Sequence, residues 1–194
     1  MKNLALRLFD IITLAVIDHN AKFATAWTFT QALDPSFNPV RDHVADVKID
    51  GCSRFYTAHN VDDVLELAKG ARLLEVRKGR KGRHGRALCF VFEADVVIGE
   101  AVESMPIEGE KYVMQKVHGM LQPVGTVAYW PSGTKVFTIV LTPENEAGEL
   151  ALASAYPGYP DPEPRPGWEN LIEGQELSAF QVLMYGLRPS ARKN

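Results

Sequence analysis

From residue 71 onward the sequence consists of short segments rich in branched and aromatic residues, and glycine or proline separates each segment from the next. This alternation is typical of antiparallel strands joined by turns. The pattern predicts strands at 73–76, 87–98, 112–117, 126–130, 135–142 and 149–156. The first two of these segments are expected to form one hairpin, and the last two are expected to form another.

Helical patterns lie on both sides of these strands. Leucine, isoleucine and valine recur at helical spacing over 4–16, and Asn60 and Ser178 are suited to cap helices at 61–69 and 179–185. A further alternating segment, 44–49, predicts one early strand. Because helices come first, strands follow and one helix closes the chain, the order predicts an α+β fold. We expect an N-terminal helical layer packed on a mostly antiparallel β-sheet, with a short C-terminal helix.

The length of 194 residues predicts a single domain over 1–194. Within it, 1–70 is expected to be mainly helical, 71–156 to form the antiparallel sheet, and 157–194 to form a proline-rich strip and the closing helix. The strip either docks on a partner or packs across the body of the protein with Trp168 as its anchor. The second alternative is preferred.

Two features bear on the cellular location. The chain has only two cysteines, Cys52 and Cys89, and no Asn-x-Ser/Thr sequon, which favours a reducing compartment. The apolar segment 4–17 has only 14 residues and contains Arg7 and Asp10, so it is too short and too charged to span a bilayer. We therefore expect a cytoplasmic protein with no membrane association.

Positive charge is concentrated in one short segment. The whole chain has 21 Lys and Arg against 24 Asp and Glu, whereas residues 71–86 contain seven basic residues and one acidic residue. Glycines at 79, 82 and 85 predict an irregular loop at the tip of the first hairpin. Charged side chains in such a loop are exposed and can donate to phosphate oxygens. The predicted nucleic-acid-binding residues are Arg77, Lys78, Arg80, Lys81, Arg83 and Arg86.

The segment therefore predicts a protein that binds nucleic acid, with RNA preferred over DNA. Other partners of the same chemistry are another polyanion or an acidic protein surface, the latter making the protein a non-enzymatic adaptor. Two alternatives need no partner. The tip is either a solvated loop or is neutralised by the acidic stretch 93–110, in which six carboxylates occur without a basic residue.

An enzymatic alternative is a metal-independent endoribonuclease, and the sequence leaves open whether the protein is an enzyme. This chemistry requires a base near neutral pKa, a cation and a polar group that positions the phosphate. His84 and His118 are the candidate bases, Arg83 and Arg86 the candidate cations, and Tyr156, Thr138 and Ser154 the candidate strand hydroxyls. The order of elements and these residue types resemble small α+β ribonucleases of the barnase, EndoU and colicin type. The resemblance implies catalytic side chains projecting from the sheet, and it includes no specific motif.

No metal or cofactor is predicted. The five histidines show no metal-ligand spacing, and the sequence contains no Walker loop, no C-x-x-C and no G-x-G-x-x-G. Glu93 and Asp95 are expected to share one face of a strand. Two carboxylates placed in this way could bind a divalent ion or act in acid–base catalysis. The alternative for this pair is the solvated face of an antiparallel strand, which is preferred.

Overall fold

The computed structural model describes residues 40, 42–81, 84–117, 119–143, 145–146 and 149–192. Within them the chain is mostly antiparallel strand with two short α-helices. The predicted N-terminal helical layer lies outside the described residues. The described part divides into two compact units, one formed by residues up to Ala101 with Ser132–Pro160 and the other by Val102–Pro131 with the residues from Asp161 on. The single domain stays a prediction from the chain length.

The described residues contain two α-helices, α1 (Val61–Lys69) and α2 (Ala179–Met184), and one 3₁₀ turn at Trp168–Asn170. Their strands are β1 (Arg54–Phe55), β2 (Arg72–Lys81), β3 (Arg86–Glu93), β4 (Gly99–Pro106), β5 (Lys111–Val117), β6 (Met120–Gly125), β7 (Val127–Thr134), β8 (Val136–Pro143), β9 (Leu150–Pro157), β10 (Glu176–Ser178) and β11 (Ser190–Ala191). They form three sheets, in the orders β1-β4-β7, β10-β5-β6-β11 and β2-β3-β8-β9. The chain passes from the first unit to the second within β4 and returns within β7.

The main sheet of the first unit, β2-β3-β8-β9, is antiparallel throughout. One of its faces is apolar because every second residue of β3 and β8 is a large hydrophobic side chain. Phe92 stacks on Phe137 with ring centroids 5.3 Å apart, and Phe55 of β1 meets Phe137 edge-on at 6.3 Å. The helix α1 belongs to the same core cluster through Val64 and Leu65.

The helix α1 begins as its sequence predicted. The side chain of Asn60 accepts a hydrogen bond from the backbone N–H of Asp63, which satisfies one of the free donors of the first turn. Gly70 follows the last helical residue. The prediction of this helix from its cap and its apolar spacing is confirmed in both bounds.

The second unit is organised around Tyr112 of β5, whose side chain is fully buried. Its hydroxyl donates to the carbonyl of Thr126 at 2.6 Å and accepts from the N–H of Ile107 at 2.7 Å, so the buried polar group is satisfied. The helix α2 begins at Ser178 with a reciprocal capping box that includes Gln181. Its predicted start is confirmed.

Two strand predictions differ from the structure, and two of its strands were not predicted. Residues 44–49 form turns and irregular backbone rather than a strand, and β3 ends at Glu93 rather than at residue 98. The strands β4 and β6 were not predicted, because β4 contains glycine and glutamates and β6 contains Pro123, which are residues depleted in strands. Pairing with β1 and β5 overrides these weak local preferences.

Neither described α-helix has both the length and the apolar character that crossing a bilayer requires.

Candidate nucleic-acid interface

The basic segment lies at the end of a β-hairpin formed by β2 and β3. Arg77 is opposite Cys89 and Lys78 is opposite Leu88, and the next ladder pair joins Lys81 to Arg86. Between these last two pairs β2 has one residue more than β3, which is a β-bulge. A bulge bends its strand and increases the local twist. We call β2, β3 and their connecting residues the basic hairpin.

Glycine has a packing role in the basic hairpin that the sequence did not reveal. A Cβ atom at Gly79 would lie 3.0 Å from Sγ of Cys89 and 3.1 Å from Cβ of Ala87, so a side chain does not fit without displacing them. Gly85 has a φ of 145°, a conformation that other residues rarely adopt. The prediction of an irregular loop from residue 77 was wrong, because β2 runs through Gly79 to Lys81.

Three of the predicted site residues are exposed at this end of the hairpin. Lys78 and Arg86 are exposed strand residues, and His84 is exposed in the turn. Arg86 also donates from Nη1 to the carbonyl oxygen of Gly79 at 3.2 Å, which holds its guanidinium across the hairpin. Two cationic side chains and an imidazole therefore lie within nine residues of the chain, at this end of the hairpin.

Other predicted site residues lie partly or fully outside the described part of the chain. Arg80 and Lys81 belong to β2, but their side chains are not among those described. Arg83 and His118 lie outside the described residues.

Arg77 is half-exposed and has partners within the first unit. Its Nη2 lies 2.6 Å from a carboxylate oxygen of Glu75, and its Cζ lies 5.7 Å from the centroid of the Tyr159 ring. The hydrogen bond from Arg77 to Glu75 raises the pKa of the guanidinium further above its usual range. A cation that is already paired gains less from a phosphate than a solvated one does. Arg77 is thus a predicted contact residue that already has partners within the first unit.

One acidic group of the first unit, Glu93, lies at the opposite end of β3 from its basic end. Glu93 ends β3 and forms an ion pair with Arg72, and Glu100 lies 3.9 Å from Nε of Arg54. Arg86 begins the same strand, seven residues from Glu93, which at about 3.3 Å per residue separates them by roughly 23 Å. Glu93 and Glu100 therefore interact with cations other than those of the hairpin tip.

The predicted carboxylate pair on one strand face was wrong. The strand β3 ends at Glu93, and Asp95 lies in the bend that follows, where its backbone carbonyl accepts a hydrogen bond from Lys135. Among the described residues no group of three or more His, Cys, Asp or Glu side chains is placed to hold a metal ion.

Tyr156 lies on β9, far along the chain from the residue it contacts. Its half-buried ring lies 5.6 Å from the imidazole of His43, centroid to centroid, with the two planes tilted by 47°. Thr138 is the ladder partner of Tyr156, but it is fully buried and donates to the carbonyl of Gly158 at 2.8 Å. Of the three predicted strand hydroxyls, that of Thr138 is therefore buried and bonded to the backbone of its own sheet.

His43 is a residue that sequence reasoning missed. Its Nδ1 lies 2.6 Å from the carbonyl oxygen of Ser53, and because a carbonyl only accepts, Nδ1 carries the proton. Burial lowers the pKa of His43 below its usual value, and this effect exceeds the opposing effects of the Ser53 hydrogen bond and the Asp42 charge. The residue lies among turns and no spacing in the sequence connects it to Tyr156, so only the fold reveals the pair.

Arg54 belongs to β1 and lies between two residues whose backbone contacts His43. The backbone of Ser53 and Phe55 bonds to His43 on either side of it. Nε of Arg54 is buried and, among the described residues, has no hydrogen-bond partner. Leaving such a donor unpaired costs about 1–3 kcal/mol. The ladder partner of Phe55 is Gly99, where a Cβ atom would lie 2.5 Å from the carbonyl of Arg54 and 2.7 Å from Cγ of Pro157. The backbone of Arg54 thereby lies close to Pro157 at the end of β9.

Comparison with known proteins does not assign a family. No protein-family model, no curated protein and no solved structure matches this chain. The function therefore has to be argued from the residues themselves.

Proposed function

We propose that the protein binds nucleic acid through the end of the basic hairpin, with RNA preferred over DNA. The observation that carries this proposal is the separation of charge along β3, with exposed Arg86 at one end and the paired Glu93 at the other. Phosphate contacts dominate the affinity of proteins for nucleic acid, and exposed basic side chains make them.

The shape of the hairpin supports the same function. The bulge between Lys78 and Lys81 twists this end of β2, and strands that twist strongly turn successive side chains through different directions. Exposed cations on both strands can then contact phosphates on either side of the turn. His84, exposed between them, is placed to stack on a base or to donate to phosphate.

The preference for RNA rests on chemistry at the tip. A hairpin turn with arginine, lysine and histidine offers planar and ring groups to unstacked bases as well as charge to phosphates. Single-stranded RNA exposes both, together with its 2′-hydroxyls. The tip carries no long helix of the kind that enters a DNA major groove, since the described residues around it are strands and a turn.

The salt dependence of binding tests the proposal directly. We expect the affinity for a single-stranded RNA to fall linearly with salt on a log–log plot, with a slope of about −0.7 for each phosphate neutralised. Replacing Arg80, Lys81 and Arg83 together by alanine is expected to reduce the magnitude of that slope by about 2. Fluorescence anisotropy with labelled RNA and with DNA of the same sequence measures both the slope and the preference.

A second triple variant provides the matched control. Replacing Lys48, Lys69 and Lys111 by alanine removes the same positive charge from exposed sites elsewhere. It is expected to leave the slope within experimental error. Equal weakening by both triple variants, or no affinity of the wild type at low salt, would show that the basic hairpin is not a nucleic-acid site. Binding to an acidic protein that survives nuclease treatment would instead identify an adaptor.

The wider fold and the location are part of the same proposal. We infer that residues 4–16, whose apolar side chains recur at helical spacing, add the helical layer of an α+β fold. We also infer a cytoplasmic location, supported by Cys52 and Cys89, both of which are free thiols.

A further inference from the structure

Tyr159 is an aromatic residue that the fold leaves half-exposed on the first unit. Its exposed fraction is 50%. The guanidinium of Arg77 lies over its ring, with Cζ 5.7 Å from the ring centroid. A cation in this position attracts the ring and stabilises one orientation of it. The ring of Tyr159 is therefore held by a neighbour and still presents aromatic surface to solvent.

The backbone on both sides of Tyr159 is restrained. The N–H of Gly158 donates to the carbonyl of Val136 at 2.7 Å, and the carbonyl of Gly158 accepts from the buried hydroxyl of Thr138 at 2.8 Å. Pro160 follows, and a proline restricts the backbone of the residue before it to extended conformations. Because a tyrosine has only two side-chain torsions, the ring has little conformational freedom left to lose on binding.

Arg77 is held in place by a carboxylate. Its Nη2 lies 2.6 Å from an oxygen of Glu75, which is two residues earlier on the same face of β2. This ion pair reduces what Arg77 gains from a phosphate, but it orients the guanidinium that lies over the ring. We call the side chains of Tyr159, Arg77 and Glu75 the Tyr159 platform.

The Tyr159 platform adjoins the exposed cations of the basic hairpin. Lys78 follows Arg77 directly and is exposed. The carbonyl of Gly79, two residues from Arg77, accepts a hydrogen bond from Nη1 of Arg86 at 3.2 Å. Two residues of a strand span roughly 7 Å. A nucleic-acid strand whose phosphate contacts Arg86 therefore has the platform within reach of a nearby base.

We propose that the Tyr159 platform stacks against an unpaired nucleobase, so that the basic hairpin takes single-stranded nucleic acid in preference to a duplex. This inference rests on the proposed function, because the hairpin supplies the phosphate contacts. Every base has a π-face, so an aromatic ring binds single strands with little dependence on sequence. Within a duplex the bases are stacked on each other and offer no free face to a side chain.

This preference distinguishes stacking from attraction between charges. A duplex has a higher density of phosphates than a single strand and releases more counterions for each phosphate neutralised, so a site that relies on charge alone favours the duplex. A base stacked on the ring adds affinity without neutralising a phosphate. Stacking is therefore expected to change the affinity but not its dependence on salt.

Three RNA probes test the platform in the wild-type protein. They are a labelled single strand, an abasic strand of the same length and a blunt duplex of the same sequence. We expect fluorescence anisotropy to show tighter binding of the single strand than of the duplex. The single strand is also expected to bind at least about fivefold more tightly than the abasic strand, which has the same phosphates but no base to stack.

Variants assign the effect to the ring of Tyr159. Tyr159→Leu is expected to weaken binding of the single strand at least about fivefold and to leave the salt slope unchanged. Tyr159→Phe keeps the ring and is expected to bind within about twofold of the wild type. Tyr56→Leu is the matched control, because Tyr56 also belongs to the first unit and is 46% exposed. It is expected to leave the affinity unchanged.

The outcomes separate the two proposals. Tighter binding of the duplex, equal binding of the abasic strand, or equal effects of Tyr159→Leu and Tyr56→Leu would overturn the stacking inference and leave the phosphate contacts of the basic hairpin standing. No affinity of the wild type for any of the three probes at low salt would overturn both proposals.

Discussion

The guanidinium of Arg77 lies over the ring of Tyr159, with its Cζ 5.7 Å from the ring centroid. Arg77 belongs to β2 and Tyr159 follows β9, and these are the two outer strands of the four-stranded sheet. Since neighbouring strands are about 4.8 Å apart, the segment that follows β9 must cross part of the sheet to bring Tyr159 to Arg77. The hydrogen bond from Thr138 to the carbonyl of Gly158 holds the segment that begins this crossing. The contact therefore joins the basic hairpin to the opposite edge of its own sheet.

A double-mutant cycle is expected to detect this contact. Arg77→Met and Tyr159→Leu each remove one side of the interaction, and we expect a coupling free energy of about 0.5–1 kcal/mol for a cation–π pair at a partly exposed site. Urea unfolding of the wild type, the single variants and the double variant measures it. Lys78→Met with Tyr159→Leu is the control, because Lys78 projects from the other face, and its coupling is expected to be near zero. Equal couplings in both cycles would contradict the assignment.

Gly99 is expected to be intolerant of a side chain. A Cβ atom there would lie 2.5 Å from the carbonyl oxygen of Arg54 and 2.7 Å from Cγ of Pro157, so Gly99→Ala must displace backbone. We expect this variant to lower the free energy of unfolding by about 1–3 kcal/mol.

The matched control for Gly99 is Gly133, also a strand residue, where the nearest atom would lie 3.4 Å away on Val97. Gly133→Ala is expected to change stability by less than about 0.5 kcal/mol. Thermal or urea unfolding compares the two, and a similar loss for both would show that strand glycines are costly to replace in general rather than at Gly99.

The features that the sequence predicted share a local cause. The helix α1 follows from Asn60 and the apolar spacing after it, and the hairpin of β2 and β3 follows from alternation on either side of a glycine-rich turn. Such signals are contained in ten or twenty consecutive residues. The strand β6 carries Pro123 and no such signal, and its formation depends on pairing with β5 and β11.

The residues of the candidate sites also differ in whether a local sequence signal could reveal them. The basic residues at 77–86 are adjacent in sequence, so their charge was visible without a structure. His43 and Tyr156 are separated by more than half of the chain, and a loop histidine with no regular spacing gives no pattern to detect. The hydrogen bond of Thr138 to Gly158 was equally hidden, because its acceptor is a backbone carbonyl brought close by the fold.

Phe137 is expected to be the most costly side chain to truncate in the first unit. It is fully buried and contacts the rings of both Phe92 and Phe55. Phe137→Ala is expected to lower the free energy of unfolding by about 3–5 kcal/mol, because it removes apolar surface and leaves a cavity. Val140, on the opposite face and only half-buried, provides the comparison. Val140→Ala is expected to lower the free energy of unfolding by less than Phe137→Ala does. A larger loss for Val140→Ala in urea unfolding would contradict the assignment of the core to the sheet face that carries Phe137.

Two histidines are expected to change the pH dependence of stability in opposite directions. Burial lowers the pKa of His43 in the folded chain below the value of about 6.5 that it has in the unfolded chain. On acidification through 6.5, the unfolded chain therefore takes up a proton that the folded chain does not. The free energy of unfolding falls over this pH range as a result. The hydrogen bond to Asp46 raises the pKa of exposed His59, so its contribution to stability is present below 6.5 and is lost as pH rises through the folded pKa. His43→Gln is therefore expected to reduce the loss of stability between about pH 7.5 and 5.5, whereas His59→Gln is expected to increase it. Urea unfolding at several pH values in this range measures both slopes. A change of the same sign in the two variants would mean that His43 is not held neutral by the fold.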